Sequence, residues 1–158
     1  MIELRDILRP GITGCVIKGC PSTVDDSVLQ AWRTLCATAS RELRGKRLGE
    51  EPLRTGRLFW SFSLELHPKR EIVHILLHGV FPYVAIATKF EWMQVEFGDS
   101  SILTSIFTDP FVVLPKELLE KPFDLEPWMK PLLDKGALDD IRYWKPRRVG
   151  DLVFNHYD

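Results

Sequence analysis

His74 and His78 stand four residues apart with Glu71 three residues before the first, the nearest this chain comes to a metal-ligand spacing. On a helix these three side chains would share one face and could hold a divalent cation. The segment around them, Ile72-Val73-His74-Ile75-Leu76-Leu77-His78, is aliphatic and β-branched and reads as a strand. On a strand both histidines share a face with Leu76, no fourth ligand is evident, and they read as ordinary sheet histidines. No metal ion and no cofactor is expected. Nucleophile arrangements are weaker still. The chain has no Gly-x-Ser-x-Gly, and neither Gly11-Ile12-Thr13-Gly14 nor Gly49 to Gly56 has phosphate-loop spacing. Cys15 or Cys36 could meet a histidine in space, but such a cysteine is more often a small buried hydrophobe. Glu65, Glu91 and Glu96 fall on strand segments, and nothing in the sequence selects an acid/base pair among them.

Two groupings of charge are candidates for binding. Arg41, Arg44, Lys46, Arg47, Arg54 and Arg57 place six cations within 17 residues, a pattern suited to phosphates. Glu42, Glu50 and Glu51 dilute it and no aromatic residue interleaves, so it reads as a solvated helix end and loop, and direct nucleic-acid binding is not expected. Asp99, Asp109, Glu117, Glu120, Asp124 and Glu126 cluster around turns and short helical pieces, where exposure is expected. Surface carboxylates so grouped can mimic phosphates and dock onto a basic partner with fast, salt-sensitive association. The plain alternative is a solvated acidic face. Asp99, Asp109, Glu117, Glu120 and Glu126 are the candidate partner contacts. Trp60, Phe62, Trp92, Phe97, Phe107 and Phe111 read mostly as core, with room for one exposed aromatic anchor.

The elements that must position these residues follow from period and punctuation. Ile2 to Leu8 suits a turn or two of helix before Pro10-Gly11, and Ile12 to Lys18 a first strand. Ser22 or Thr23, followed by Asp25 and Asp26, opens the clearest helix. Val28, Leu29, Trp32, Leu35, Cys36 and Ala39 form one stripe on it, and it runs to about Arg44 with Gly45 as its stop. Lys46 to Arg57 reads as a loop. Leu58 to His67 alternates, with Trp60, Phe62, Leu64 and Leu66 on one face, and reads as a half-buried strand. Ile72–His78, Tyr83–Lys89 and Phe90–Phe97 are further strands, the last two either separate or one long bent strand. Gly98 to Ser101 is a turn and Ile102 to Thr108 a short strand. Beyond Asp109-Pro110, prolines punctuate helical pieces at Lys116–Glu120, Trp128–Asp134 and Ala137–Tyr143. The expected fold is α+β: an N-terminal amphipathic helix, an antiparallel sheet of four to six strands, then short C-terminal helices, all in a single domain over 1–158.

Composition sets the outer bounds. A chain of 158 residues with 45% hydrophobic and 27% charged residues has the balance of a globular domain. Its net charge of −1 conceals 13 Lys/Arg against 9 Asp/Glu up to residue 90 and 8 against 13 beyond it. Cys15, Cys20 and Cys36 form no C-x-x-C and suit a reducing compartment. Met1-Ile2-Glu3-Leu4-Arg5-Asp6 lacks the apolar stretch of a signal peptide, and no apolar run approaches the ~18 residues of a membrane span. A cytoplasmic protein without membrane contact is expected.

The ending is the segment with a family signal. Residues 142–158 read RYWKPRRVGDLVFNHYD, with Pro146 placed to open a helix and Val149, Leu152, Val153, Phe154 and Tyr157 available to bury, so this end is expected to dock into the fold. It resembles the C-termini of small bacterial proteins encoded beside toxin genes, where Trp-x-Pro, then Val/Ile-Gly, then Phe-Asn-x-Trp/Tyr-Asp closes the chain. Those are immunity proteins of polymorphic toxin systems, including contact-dependent inhibition, and the match covers about a tenth of this chain. The resemblance implies a binding protein and not an enzyme: a monomer or dimer that occludes the active site of a cognate toxin domain, a nuclease foremost. It carries over onto Trp144, Pro146, Gly150, Phe154, Asn155 and Asp158, which look structural, with Asn155 and Asp158 suited to capping the final helix. Two alternatives remain open: a small enzyme using His74 or His78 with Glu65 or Glu91 in a deep pocket, and a nucleic-acid-binding module using the 41–57 segment.

Overall fold

The structure, a computed structural model, describes residues 1–14, 23–53, 57–91 and 94–156. In chain order the elements are α1 (Leu4–Ile7), α2 (Asp26–Glu42), β1 (Lys46–Glu51), β2 (Phe59–Leu66), β3 (Glu71–His78), β4 (Tyr83–Glu91), β5 (Gln94–Gly98), α3 (Ser101–Phe107), β6 (Val112–Val113), α4 (Lys116–Leu119), a 3-10 turn (Pro127–Leu132), α5 (Lys135–Trp144) and α6 (Val149–Val153). The fold is α+β. Strands β1 to β5 form an antiparallel meander in chain order, and β6 adds to β4 in parallel, beside Tyr83 and Val84.

Cross-strand partners share a face, so the register sorts the sheet into two sides. Phe59, Leu76, Tyr83, Ala85, Ala87 and Phe97 point to one side and pack with residues of α1, α4, α5 and α6. Trp60, Phe62, Leu64, Val73, Ile75, Leu77, Val84 and Ile86 point to the other and pack with Trp32, Cys36 and Ala39 of α2 and Leu103 and Phe107 of α3. The sheet is thus a wall between two helical layers, each burying its own apolar stripe. The expected stripe of α2 is borne out at Trp32, Cys36 and Ala39.

Five expectations are corrected. The segment 46–57 is not all loop: Lys46–Glu51 is a strand whose six residues are all exposed. With neither face buried there is no alternation to read; β1 forms because it completes a hairpin on the free edge of β2. Ile102–Thr108 is not a strand but α3. The Ser100 hydroxyl accepts the Leu103 N–H at 3.2 Å, and Leu103 and Phe107, four residues apart, bury one helical face. Helix α2 stops through Arg44, not Gly45: Arg44 takes the left-handed φ of 50°, and the Gly45 N–H donates to the Ser40 carbonyl. Pro146 does not open the last helix, which begins at Val149 after Arg148. β2 is more than half-buried, because Phe59 and Ser61 are covered on the side opposite Trp60 and Phe62. Of the expected strand Ile12–Lys18, Ile12 and Thr13 belong to a turn and residues 15–18 lie outside the described residues, as do Ser22, Arg54, Trp92, Tyr157 and Asp158.

Candidate functional site

The five candidate carboxylates separate into distinct environments. Asp99 and Asp109 flank the two ends of α3, and Glu117 lies in the first turn of α4; all three are exposed. The Asp99 carboxylate accepts the Lys116 N–H at 2.9 Å, which ties the start of α4 to the start of α3 and brings Asp99 beside Glu117. Between them the same stretch exposes Ile102 (52%) and Val112 (37%). Exposed carboxylates and exposed aliphatic side chains in one stretch are the residue types that binding surfaces combine.

Glu126 is exposed elsewhere, on the 3-10 turn, where it accepts the Trp128 indole N–H at 2.8 Å. Trp128 is 40% exposed and carries the Arg5 guanidinium over its ring at 5.7 Å. Glu120 is drawn inward. It accepts both from Arg148 Nη1 at 3.0 Å and, at 3.4 Å, from the Phe97 N–H. Arg148 also donates to the Val95 carbonyl and to Asp151, and its guanidinium lies 5.4 Å from the Phe97 ring centre. The hydrogen bond to Asp151 foremost holds the guanidinium charged, raising its pKa. Glu120 is therefore part of a brace joining α4, β5 and α6, with its charge already met by a cation of its own chain.

The histidines serve the fold. His78 is fully buried; its Nε2 donates to the Ile12 carbonyl at 2.8 Å, and its Nδ1 accepts the Val80 and Phe81 N–H groups at 3.0 and 3.1 Å. These three bonds fix one neutral tautomer, and burial pushes its pKa down to about 4. His74 is half-buried, meets Ser63 Oγ through Nδ1 at 2.7 Å, and packs at 5.6 Å from Phe90. Burial lowers its pKa, with Glu51 opposing. A serine and a histidine in contact suggest a nucleophile, but Glu51, the nearby carboxylate, is bound to Arg57, which lies over Phe90 at 4.8 Å. His74 and His78 line none of the four main clefts. Glu65 is half-buried at the far end of β2, and exposed Glu91 lies 3.9 Å from Lys89. Cys36 is buried in the core under α2, and burial drives its thiol pKa up, away from the thiolate.

The basic segment is divided. Arg41, Arg44, Lys46 and Arg47 are exposed, whereas Arg57 is buried against Glu51. Glu50 is taken by Arg33 in a two-pronged pair at 2.9 Å that straps β1 to α2. Among the expected aromatics, Trp60, Phe62, Phe97, Phe107 and Phe111 are all buried. Among the described residues the exposed aromatics are others, Trp128 and Tyr143, the latter 77% exposed. Tyr143 belongs to a run of cations and rings, Arg142-Tyr143-Trp144-Lys145, that is plain in the sequence.

No helix among the described residues is long and apolar enough to cross a membrane. Comparison of the chain with protein-family models, with curated proteins and with solved structures finds no match.

Proposed function

We infer that the chain is an immunity protein: a binding protein that neutralises a cognate bacterial toxin domain, a nuclease foremost, by covering its active site. The observation that carries this reading is the stretch α3–β6–α4, which exposes the carboxylates Asp99, Asp109 and Glu117 together with Ile102 and Val112. The resemblance of residues 144–158 to the endings of immunity proteins points the same way. A nuclease binds phosphates with cations; carboxylates on this face compete for those cations while Ile102 and Val112 supply contact area that excludes water. Glu120 is not part of the contact, since it braces the fold.

The reading expects a toxin domain to be encoded beside this chain's gene, and that domain is the test's partner. Wild-type chain is expected to form a one-to-one complex and abolish the toxin's activity. Asp109→Lys with Glu117→Lys is expected to weaken binding on the order of 10–100-fold, mostly through slower association at low salt. Unchanged affinity in that double variant, with wild-type binding intact, would place the interface on another face. No complex with the neighbouring toxin would remove the immunity reading.

A further inference from the structure

The end of α5 and the loop after it carry the chain's densest mixture of cations and aromatic rings. Arg142, Lys145 and Arg147 are exposed, and none forms an ion pair with a described residue. Tyr143 projects 77% exposed and meets Trp144 edge-to-face at 5.0 Å. Lys145 has the left-handed φ of 51°, which ends α5 and turns the chain so that residues 144–147 form a ridge. A cleft lies on either side of it. The larger, about 900 Å³, runs between the ridge and Pro122–Leu125, over Phe123 and Ile141. The smaller, about 270 Å³, runs toward Val95, Phe154 and His156. Trp144, Lys145, Pro146 and Arg147 line both.

Among the described residues that line these clefts, cations outnumber carboxylates, on a molecule whose net charge is −1. Asp124 is the carboxylate among the described residues that line the larger cleft. Asp151 is the carboxylate of the smaller one, and it is already bound by Arg148. A fixed anion is therefore drawn to the ridge, and apolar floors with aromatic walls flank it. A peptide of acidic residues alone, such as polyglutamate, would use only the cations. A single-stranded nucleic acid uses both features: phosphates on the cations, bases against the rings and in the apolar clefts.

We propose that the ridge at residues 144–147, with the adjoining Arg142 and Tyr143 at the end of α5, is a binding site for single-stranded nucleic acid, with Arg142, Lys145 and Arg147 facing phosphates and Tyr143 and Trp144 stacking bases. The two clefts share one ridge, so a strand of a few nucleotides lies across it. This site is separate from the acidic stretch α3–β6–α4 and does not depend on the toxin reading.

Fluorescence anisotropy with a labelled ten-nucleotide oligouridine is the test. Binding at 50 mM salt is expected, weakening on the order of 20-fold by 200 mM, since three phosphate contacts give a logarithmic slope of about −2 for a single strand. Arg142→Gln with Arg147→Gln is expected to lower affinity at least tenfold and to flatten the slope to about −0.7. Tyr143→Ala is expected to lower affinity about fivefold or more through lost stacking. All three side chains are exposed, so thermal midpoints stay at the wild-type value and report that the variants fold; Lys145 is left unchanged because of its backbone conformation. Arg44→Gln with Arg47→Gln, in the other basic segment, leaves binding unaltered. Absence of binding at 50 mM salt overturns the proposal. So does loss of binding in the Arg44/Arg47 variant alone, uridine monophosphate binding as tightly as the strand, or competition by polyglutamate as effective as by unlabelled strand.

Discussion

At the residue scale, side chains that offered chemistry are held by structural bonds. The sequence correctly places His74 and His78 on one face of a strand, yet identical residue types meet different fates there. His78 falls where the chain turns back at Gly79, and its ring ties that turn to Ile12. That contact spans 66 residues of sequence, so no local pattern announces it. Its consequence is a pH dependence. The folded protein keeps His78 neutral with a pKa near 4, against 6.5 ordinarily. Between those values only the unfolded chain takes up the proton, so stability is full above about pH 6.5 and falls as pH drops toward 4. The loss attributable to this one ring approaches about 3 kcal/mol. Urea midpoints from pH 7 to 4.5 should fall more steeply in wild type than in His78→Gln, and the His78 ring proton resonances should stay at the neutral position down to about pH 5. A ring that titrates near 6.5 in the folded protein would refute the assignment. Arg148 makes the second residue-scale prediction. It reaches the Val95 carbonyl, Glu120 and Asp151 with a single planar fork. Lysine keeps the charge but cannot serve three partners. Arg148→Ala is expected to cost about 3 kcal/mol and Arg148→Lys about half of that in urea unfolding. Equal, small losses would show that the brace is incidental.

At the element scale, what could be read and what could not divides by burial. Helix α2 was legible because it buries one periodic stripe, and strands β2, β3 and β4 because they are buried on both faces and so carry apolar runs. Strand β1 was not, since its pairing alone defines it and its side chains face water. Helix α3 was misread because Ile102-Leu103-Thr104-Ser105-Ile106-Phe107 has strand composition, and the decision rests on one Ser100 cap and the packing of Leu103 and Phe107. Ser100→Ala is therefore expected to destabilise the protein by about 1 kcal/mol. An unchanged thermal midpoint would show that packing alone holds α3. Helix α6 is short, and its glycine explains its docking. A methyl group on Gly150 would lie 2.2 Å from Phe97 Cε2 and 3.0 Å from the Leu119 carbonyl oxygen. Gly150→Ala therefore forces α6 away from β5 and α4, and about 2–3 kcal/mol of stability is expected to go with it. Gly150 and Asn155, whose side-chain amide donates to the Leu152 and Thr13 carbonyls, have structural reasons for their places in the C-terminal motif. The acidic candidates were legible as surface, but not Glu120's inward turn, since its partner Arg148 lies 28 residues away.

At the scale of the whole molecule, one sheet serves two cores. Adjacent residues of β3, Ile75 and Leu76, point into opposite clusters, so neither core can dissolve while the other keeps its wall. This makes the two cores energetically separate in the folded state yet inseparable in unfolding. Phe154 packs edge-to-face with Phe59 at 5.9 Å on one side of the sheet, and Phe107 with Phe111 at 6.2 Å on the other. Phe154→Leu and Phe107→Leu each remove buried ring contacts and are expected to cost about 1–2 kcal/mol. The two sites lie in different clusters, so their double variant should lose the sum of the single losses within about 0.5 kcal/mol. At the same time, tryptophan fluorescence and far-ultraviolet dichroism should report one coincident urea transition in all three variants, because the strands that line one cluster line the other. Two separated transitions would mean that the helical layer of α2 and α3 unfolds by itself. Strong non-additivity would mean that strain crosses the sheet, and the adjacent, oppositely facing Ile75 and Leu76 of β3 would then be the place to look.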